Sequence, residues 1–514
     1  MIERRRRLVG VVGAAVVVGA VWTVVAWWIA PRVTPTVPDV ARQMWHDRAF
    51  YAPHLRTTLS EAAWGYLWGN LAGGTVAALI VLVAPLSALF ERLSVAVYCL
   101  PLLAIGPILQ IVTTGSSTKI VLAALAVFFT TMVCCVLGLR SADPASLDVV
   151  YAAGGGKLRM FSSVRVQASL PSVFAGLRIA APAALLGAIV GEYLGGSRGL
   201  GVAMILSQSS FQVARTWGLA VVIGVTVGLA YAVTGLIARF LVPWAAGERP
   251  ITVLQLGQSR RGVVATVLTG LASVAILVFA WWATLRWFDL SPYFAKRPLD
   301  VWRFLTTASD DRSAVWSALG TTLVDTAVGF AIGSVASVAV AAGVVASPFL
   351  DALVMPTAIA LRSVPIIAMT PLIALLFGRG LWGVTVIVGL VTFFPTLVAV
   401  TTAMRNAPRQ ACDLVAAYGG SRVRELLGVR LPFALPALFA ASKIALPAAI
   451  SGALLAEWLA TGTGLGSVML RASASSKFAI VWSGAVLIVI VSIAAYSLVS
   501  VVEAASARLI SGSR

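Results

Sequence analysis

The chain has 514 residues, of which 60% are hydrophobic and only 11% charged, and its mean hydropathy is +0.96. Such a composition lies outside the range of ordinary soluble domains and reads as a membrane protein. A formal net charge of +19 would point to nucleic acid in a soluble protein, but here Lys and Arg sit in short loops between apolar runs, the pattern that orients membrane helices, so no nucleic-acid partner is expected.

In chain order, the basic start Met1 to Arg7 leads into an apolar run from Leu8 to Ala30, longer than the apolar part of a cleavable signal. It reads as an uncleaved first helix with its basic end in the cytosol. Further spans are expected near 57–84, 93–112, 118–137, 170–191 and 216–242, then near 263–287, 321–346, 353–376, 381–402, 435–457 and 478–502. The expected fold is therefore an all-α polytopic membrane protein of about twelve helices in two sets of six. Six spans return each half to the cytosol, so the halves share one orientation, both termini are cytosolic, and their relating axis runs along the membrane normal. The polar, Pro- and Gly-punctuated stretch 244–262 reads as a cytosolic linker between units 1–243 and 263–514. The two outer segments, 31–56 and 288–320, are the longest polar stretches on the far side. His46 and His54 fall in the first, with no third ligand spaced for a metal, and read as solvated surface. Cys99, Cys134, Cys135 and Cys412 show neither metal nor redox spacing, so no disulfide framework is expected.

The strongest signal is an internal repeat. Asp148 to Lys157 aligns with Asp413 to Arg422 at an offset of 413 − 148 = 265. The same offset pairs Gly154 with Gly419, Pro171 with Pro436, Arg178 with Lys443, Pro182 with Pro447 and Glu192 with Glu457. The repeated segments lie in the longest cytosolic loops, 138–169 and 403–434. Each reads as a short amphipathic helix stopped by glycine and flanked by basic residues, Lys157 and Arg159 in one loop, Arg422, Arg424 and Arg430 in the other. Such an element could dock in a groove of a cytosolic partner, or be basic only because cytosolic loops are.

The second loop reads Asp413-Leu414-Val415, three residues, Gly419, nine residues, then Val429-Arg430-Leu431-Pro432. That spacing resembles the EAA loop (Glu-Ala-Ala-x3-Gly-x9-Ile-x-Leu-Pro) of ABC-importer permeases, with Asp413 in place of the Glu and Leu414-Val415 in place of the alanines. In the first loop Asp148, Gly154 and Val164 keep their places, but Val166-Gln167 stands where Leu-Pro is expected. Pro365-x-x-Ala368-x-x-Pro371-Leu372, then Phe377-Gly378-x-Gly380 and Phe393-Phe394-Pro395, resembles the permeases of nitrate, sulfonate, taurine and thiamine-precursor importers. The first half echoes it with Pro101, Ala104 and Pro107, then Gly115 and Phe128-Phe129. The resemblance implies a type I ABC importer whose two permease units are fused in one chain, present as one copy in the inner (plasma) membrane. It would be driven by two cytosolic ATPase subunits docked at the two loops, the second nearer the family pattern, and fed by an extracytoplasmic solute-binding protein. ATP and Mg would be bound by those partner subunits, with no cofactor in this chain. The only Gly-Lys pair, Gly156-Lys157, is followed by Leu158 and lacks the upstream glycine of a phosphate-binding loop.

Candidates for the pathway or its gates are the prolines Pro101, Pro107, Pro365 and Pro371, which interrupt helical hydrogen bonding, and ionisable residues in or near spans. Arg362 is read as the one basic residue inside a span, with Tyr98 as its counterpart in the first half. Glu192 and Glu457 close the fifth span of each half, and a structural or gating role is favoured for both. Glu61 and Asp325 share a repeat position, since Thr57-Thr58-Leu59 pairs with Thr321-Thr322-Leu323. A secondary transporter driven by an ion gradient is the competing reading, because two parallel six-helix halves suit that class too.

Overall fold

The computed structural model describes residues 19, 22–24, 26–27, 34–83, 87–113, 115–244, 263–287, 289–307, 309–362 and 366–511. All regular structure in them is helical, as expected where lipid offers the backbone no hydrogen-bond partners. The first half runs through α1 (Val37–His46), α2 (Arg48–Leu82), α3 (Ser87–Tyr98), α4 (Leu102–Val112), α5 (Ser117–Arg140), α6 (Pro144–Ala152), α7 (Lys157–Leu194), α8 (Leu200–Ser209) and α9 (Val213–Leu241). After α10 (Val263–Trp287) the second half follows the same order. It comprises α11 (Pro298–Thr306), α12 (Asp310–Ala346), α13 (Pro348–Arg362), α14 (Ile366–Phe377), α15 (Leu381–Arg405), α16 (Arg409–Ala417), α17 (Arg422–Thr461), α18 (Gly464–Ala474) and α19 (Phe478–Ser511).

Among the described residues, nine helices are long and apolar enough to cross a membrane, or ten if the bent pair Arg92–Tyr98 and Leu102–Gln110 is one broken span rather than a re-entrant loop. The protein is thus an all-α polytopic membrane protein. Most of the span expected at 8–30, and the linker beyond Trp244, lie outside the described residues. The single span expected at 93–112 is corrected: the chain turns by 84° between α3 and α4. Pro101 sits at the turn in an extended conformation (φ −67°, ψ 123°), because it has no N–H to give a continuing helix and disfavours helical geometry before it. The polar segments 31–56 and 288–320 carry α1, α11 and the first turns of α2 and α12.

Each half is built on three packed helices: α2 on α5 and α5 on α7, matched by α12 on α15 and α15 on α17. Close approach is set by small residues, as in membrane helix pairs generally. A Cβ on Gly69 would lie 2.6 Å from the Ala124 carbonyl, and one on Gly333 2.6 Å from the Gly389 carbonyl. Where the first half has Gly73 against the Phe128 carbonyl, the second has Ser337, whose hydroxyl donates to the Phe393 carbonyl at 2.9 Å. The outer faces of α9 and α10 remain apolar, with Val225, Leu229, Leu271 and Phe279 exposed as a lipid-facing surface requires. The halves meet through α4, where Leu103, Ala104 and Pro107 line a crevice against Leu454, Trp458 and Met469. All four cysteines are buried and unbridged.

Candidate functional site

The repeated loop segments form one local structure twice. Helices α6 and α16 end in a residue with left-handed backbone, Gly154 at φ 78° and Gly419 at φ 69°, where a side chain would be strained. The next amide closes the turn in each: Gly155 N–H donates to the Val150 carbonyl and Gly420 N–H to the Val415 carbonyl, both at 2.8 Å. Four helical residues follow, then a π-turn at Phe161–Arg165 in α7 and at Leu426–Arg430 in α17, offset by 265 like the sequence. At the end of each π-turn an arginine reaches back to the C-terminus of the preceding long helix. Arg165 Nη1 donates to the Leu139 carbonyl, and Arg430 Nη1 to the Met404 carbonyl, each at 3.1 Å. Carbonyls at a helix end lack partners within the helix, so these bonds fasten the loop to it.

Asp148, Lys157, Arg159, Asp413, Arg422 and Arg424 are all exposed on this surface. Between them stand exposed apolar side chains at matched positions, Val149 with Leu414 and Leu158 with Val423, and each loop adds an exposed tyrosine, Tyr151 in the first and Tyr418 in the second. Arg430 departs from the sequence reading, which set it among the flanking basic residues: it is half-buried, with Nε and Nη2 at 2.8 and 2.7 Å from Glu425. Leu431 is half-buried and Pro432 exposed, at the first turn after the π-turn, where a missing N–H does least harm. The two loops are capped differently. Asp143 accepts from Ala145 and Ser146 amides in the first, and Ser421 from the Arg424 amide in the second.

At the opposite end of α7 and α17 sit the paired acids. Glu192 Oε2 accepts from Gly201 N–H at 2.6 Å while Thr58 Oγ1 accepts from Leu200 N–H at 2.9 Å. Glu457 and Thr322 do the same for Gly466 (2.7 Å) and Leu465 (2.9 Å). A carboxylate thus caps the first amides of α8 and of α18, where the helix dipole favours negative charge. No Cβ fits at Gly199 or Gly464, because each carboxylate lies against that α-carbon. His54 belongs to this assembly as well. The reading of it as solvated is corrected, since Nδ1 lies 3.1 Å from Gly199 N and 2.9 Å from its carbonyl oxygen, whereas His46 is exposed.

Glu61 is buried and its Oε1 accepts from Lys119 Nζ at 3.0 Å. Asp325, its repeat partner, is also buried but has no ion pair among the described residues. Arg362 ends α13, Pro371 falls within α14, and Pro365 lies outside the described residues. Pro107 is buried within α4. Tyr98, the counterpart of Arg362, is committed to the other half: it stacks on Phe129 with centroids 4.2 Å apart, and its hydroxyl donates to the Ile444 carbonyl at 2.8 Å.

Arg362 ends the 15-residue α13, which is not among the described helices long and apolar enough to cross, and basic residues do lie within helices that are. Lys119, Arg178 and Lys443 lie within α5, α7 and α17, and sequence reasoning gave them no role. Arg178 covers the Tyr231 ring at 4.1 Å, and Lys443 pairs with Glu503 at 2.5 Å. Lys119 carried a usable signal, a lysine within an apolar run opposite an acid in another, as did the arginines Arg165 and Arg430 held at one repeat position.

A family model described as "Binding-protein-dependent transport system inner membrane component" matches residues 53–247 and again 329–508. The chain is 32% identical over 211 residues to a probable ABC transporter permease protein of Haemophilus influenzae, covering 41% of this chain and 86% of that protein. It is 27% identical over 175 residues to the formylaminopyrimidine transport permease protein ThiX of Halalkalibacterium halodurans, 34% of this chain and 69% of that one. With the taurine transport system permease protein TauC of Escherichia coli it shares 24% over 229 residues, 44% of this chain and 83% of that one. No solved structure matches.

Proposed function

This chain belongs to the family of binding-protein-dependent transport system inner membrane components, and on that premise we propose that it forms the whole transmembrane unit of an ABC importer. Two permease units, 1–243 and 263–514, are fused through the linker 244–262 as six plus six spans in the inner membrane, with both termini cytosolic. Two separate ATPase subunits, which bind ATP and Mg, dock at the Gly154 and Gly419 elements. A solute-binding protein delivers the cargo from the other side. The observation that carries this reading is the duplication: the family match falls once in each half, and each relative matched spans less than half of this chain.

The exposed surface of α6 and α16 suits such docking. Apolar knobs (Val149 and Leu158, Leu414 and Val423) ringed by Lys157, Arg159, Arg422 and Arg424 can fill a groove whose rim is acidic. Movement of the ATPases would be passed to α7 and α17 as rigid bodies, because the π-turn and the Arg165 and Arg430 bonds tie each docking helix to the bundle. The pathway would run where the halves meet, along α4 and the Glu192 and Glu457 ends of α7 and α17, with Pro101 at the 84° bend and Pro107, Arg362, Pro365 and Pro371 as further candidates. The solute is small, and the relatives named for taurine and formylaminopyrimidine make those two compounds the first to test.

The test is a purified complex of the chain with its ATPases and binding protein. Gly419→Pro cannot adopt φ 69°, so it should unwind the end of α16 and abolish solute-stimulated ATP hydrolysis and uptake while the chain still inserts. Undiminished coupling in that variant would overturn the docking assignment. Native mass spectrometry should find one copy of this chain with two ATPase subunits, and two copies would refute the fusion.

A further inference from the structure

Within its spanning helices the first half carries a cation that no acid meets. Arg178 of α7 lies flat against α9, its guanidinium carbon 4.1 Å from the centre of the Tyr231 ring and its Nε so close to Gly235 that a Cβ there would stand 2.8 Å away. Nε is buried without a hydrogen-bond partner, and Arg178 makes no ion pair among the described residues. The second half is built otherwise. At the offset of 265, Lys443 stands for Arg178 and Tyr496 for Tyr231, but Glu503 replaces Ala238 and takes the Lys443 ammonium at 2.5 Å.

No acid lies within reach of Arg178 on the helices around it. The acids of α2, α5, α7 and α9 are Glu61 and Glu192, both at the far end of the bundle. Helix α9 supplies a second cation instead. It starts at that far end, where Gly218 packs on Tyr51, and returns to the side of the docking helices, where Arg239 stands exposed in its last turn. Arg239 follows Gly235 by four residues, so it shares the face that Arg178 covers and lies one turn, about 5.4 Å, further toward that side. Side chains lean toward the N-terminus of their helix, which brings the Arg178 guanidinium in the same direction. The surroundings are apolar and open: Val233, Leu236 and Ile237 are exposed on α9, and Tyr231 is 40% exposed. A ligand reaching the two arginines therefore comes from the bilayer.

We propose that Arg178 and Arg239 bind the phosphate of one anionic phospholipid, in the leaflet on the side of the docking helices, with the Tyr231 ring holding the guanidinium in place. A guanidinium fork matches phosphate oxygens, and basic pockets between membrane helices suit such headgroups. A zwitterionic headgroup brings its own cation and offsets two arginines less well. The second half has no such site, because Glu503 already neutralises Lys443. The inference rests on the lipid-facing position of α9 and not on which solute or ATPase the chain serves.

The experiment titrates the full chain, purified free of lipid in detergent, with phosphatidylglycerol or phosphatidylcholine and counts bound lipids by native mass spectrometry. One phosphatidylglycerol should bind in preference to phosphatidylcholine, and Arg178→Gln and Arg239→Gln should each weaken it about fivefold. Ala238→Glu, which copies the acid of the second half, should abolish the preference. The paired change Lys443→Gln with Glu503→Gln should leave it intact. Arg239→Gln alters an exposed side chain only, so it keeps the test open if Arg178→Gln does not fold. Equal affinity for the two lipids, or undiminished phosphatidylglycerol binding in Arg239→Gln and Ala238→Glu, overturns the proposal. Displacement of the bound lipid by excess inorganic phosphate would assign the site to free phosphate and overturn it too.

Discussion

Where the first half closes Glu61 with Lys119 at 3.0 Å, the second has the buried Asp325 and, at the repeat position of Lys119, the apolar Val384. Where the first ties Asp47 to Arg215 through two bonds of 2.6 and 2.8 Å, the second ties Asp311 to Lys477 on an exposed surface. Yet the glycine turns, the π-turns, the arginine ties to Leu139 and Met404, and the Glu192 and Glu457 caps recur at one offset. The difference teaches which parts of a duplicated fold are free to diverge. Backbone groups at helix ends need partners at fixed places, so whatever satisfies them is kept in both copies. A side-chain ion pair needs only charge compensation, which several chemistries supply.

The sharpest break in that comparison comes at Lys119. Lys119→Met strands the Glu61 carboxylate in the interior and should cost about 3–5 kcal/mol of stability near neutral pH. Val384→Met, the matched change in the other half, should cost less than about 1.5 kcal/mol. Thermal unfolding in nanodiscs measures both, and Glu61→Gln on the Lys119→Met background should recover most of the loss. Equal effects of the two single changes would mean that the buried pair does not distinguish the halves.

The arginine ties should differ less. Arg430→Ala removes bonds to both Met404 and Glu425 and should cost about 2 kcal/mol, while Arg165→Ala loses only the Leu139 bond in the described contacts, about 1 kcal/mol. Hydrogen exchange should report faster opening of the amides at 422–430 and at 157–165 respectively, larger in the second half. The reverse order would show that Glu425 adds nothing.

The smallest effects lie at the two exposed-end pairs. Arg215→Ala should cost about 1 kcal/mol and Lys477→Ala no more than about 0.5 kcal/mol, because one acid is buried and doubly bonded and the other solvated. The Arg215 guanidinium holds the Asp47 carboxyl below its ordinary value of 3.8. A depressed carboxylate contributes fully above that ordinary value and loses its contribution as pH falls through the lower folded value. Wild type should therefore lose stability on acidification below about pH 3.8, and Asp47→Asn should lose less over that window. Identical acid profiles would remove Asp47 from the comparison.

Much of the fold was legible because lipid leaves few options. Apolar runs of about 20 residues locate helices, and a repeat in register over both halves reveals the duplication. Less legible was what helices do at proline: the 93–112 run is apolar throughout, but Pro101 divides it into helices that diverge by 84°. Of the candidate site, Gly154 and Gly419 could be read as helix stops because a left-handed residue after a helix favours glycine. The inward turn of Arg430, the place of His54 against Gly199, and the Tyr98 bond to Ile444 could not, since each joins residues far apart in sequence.

The sequence by itself determined a membrane-bound, all-helical, duplicated chain with two glycine-stopped loops, because hydropathy, periodicity and repetition are properties of residues taken in order. Only the tertiary structure decided which charges are compensated. That Lys119 meets Glu61 while Asp325 has no ion pair among the described residues depends on which faces of α2, α5, α12 and α15 oppose one another, and burial then sets how much each unpaired charge costs.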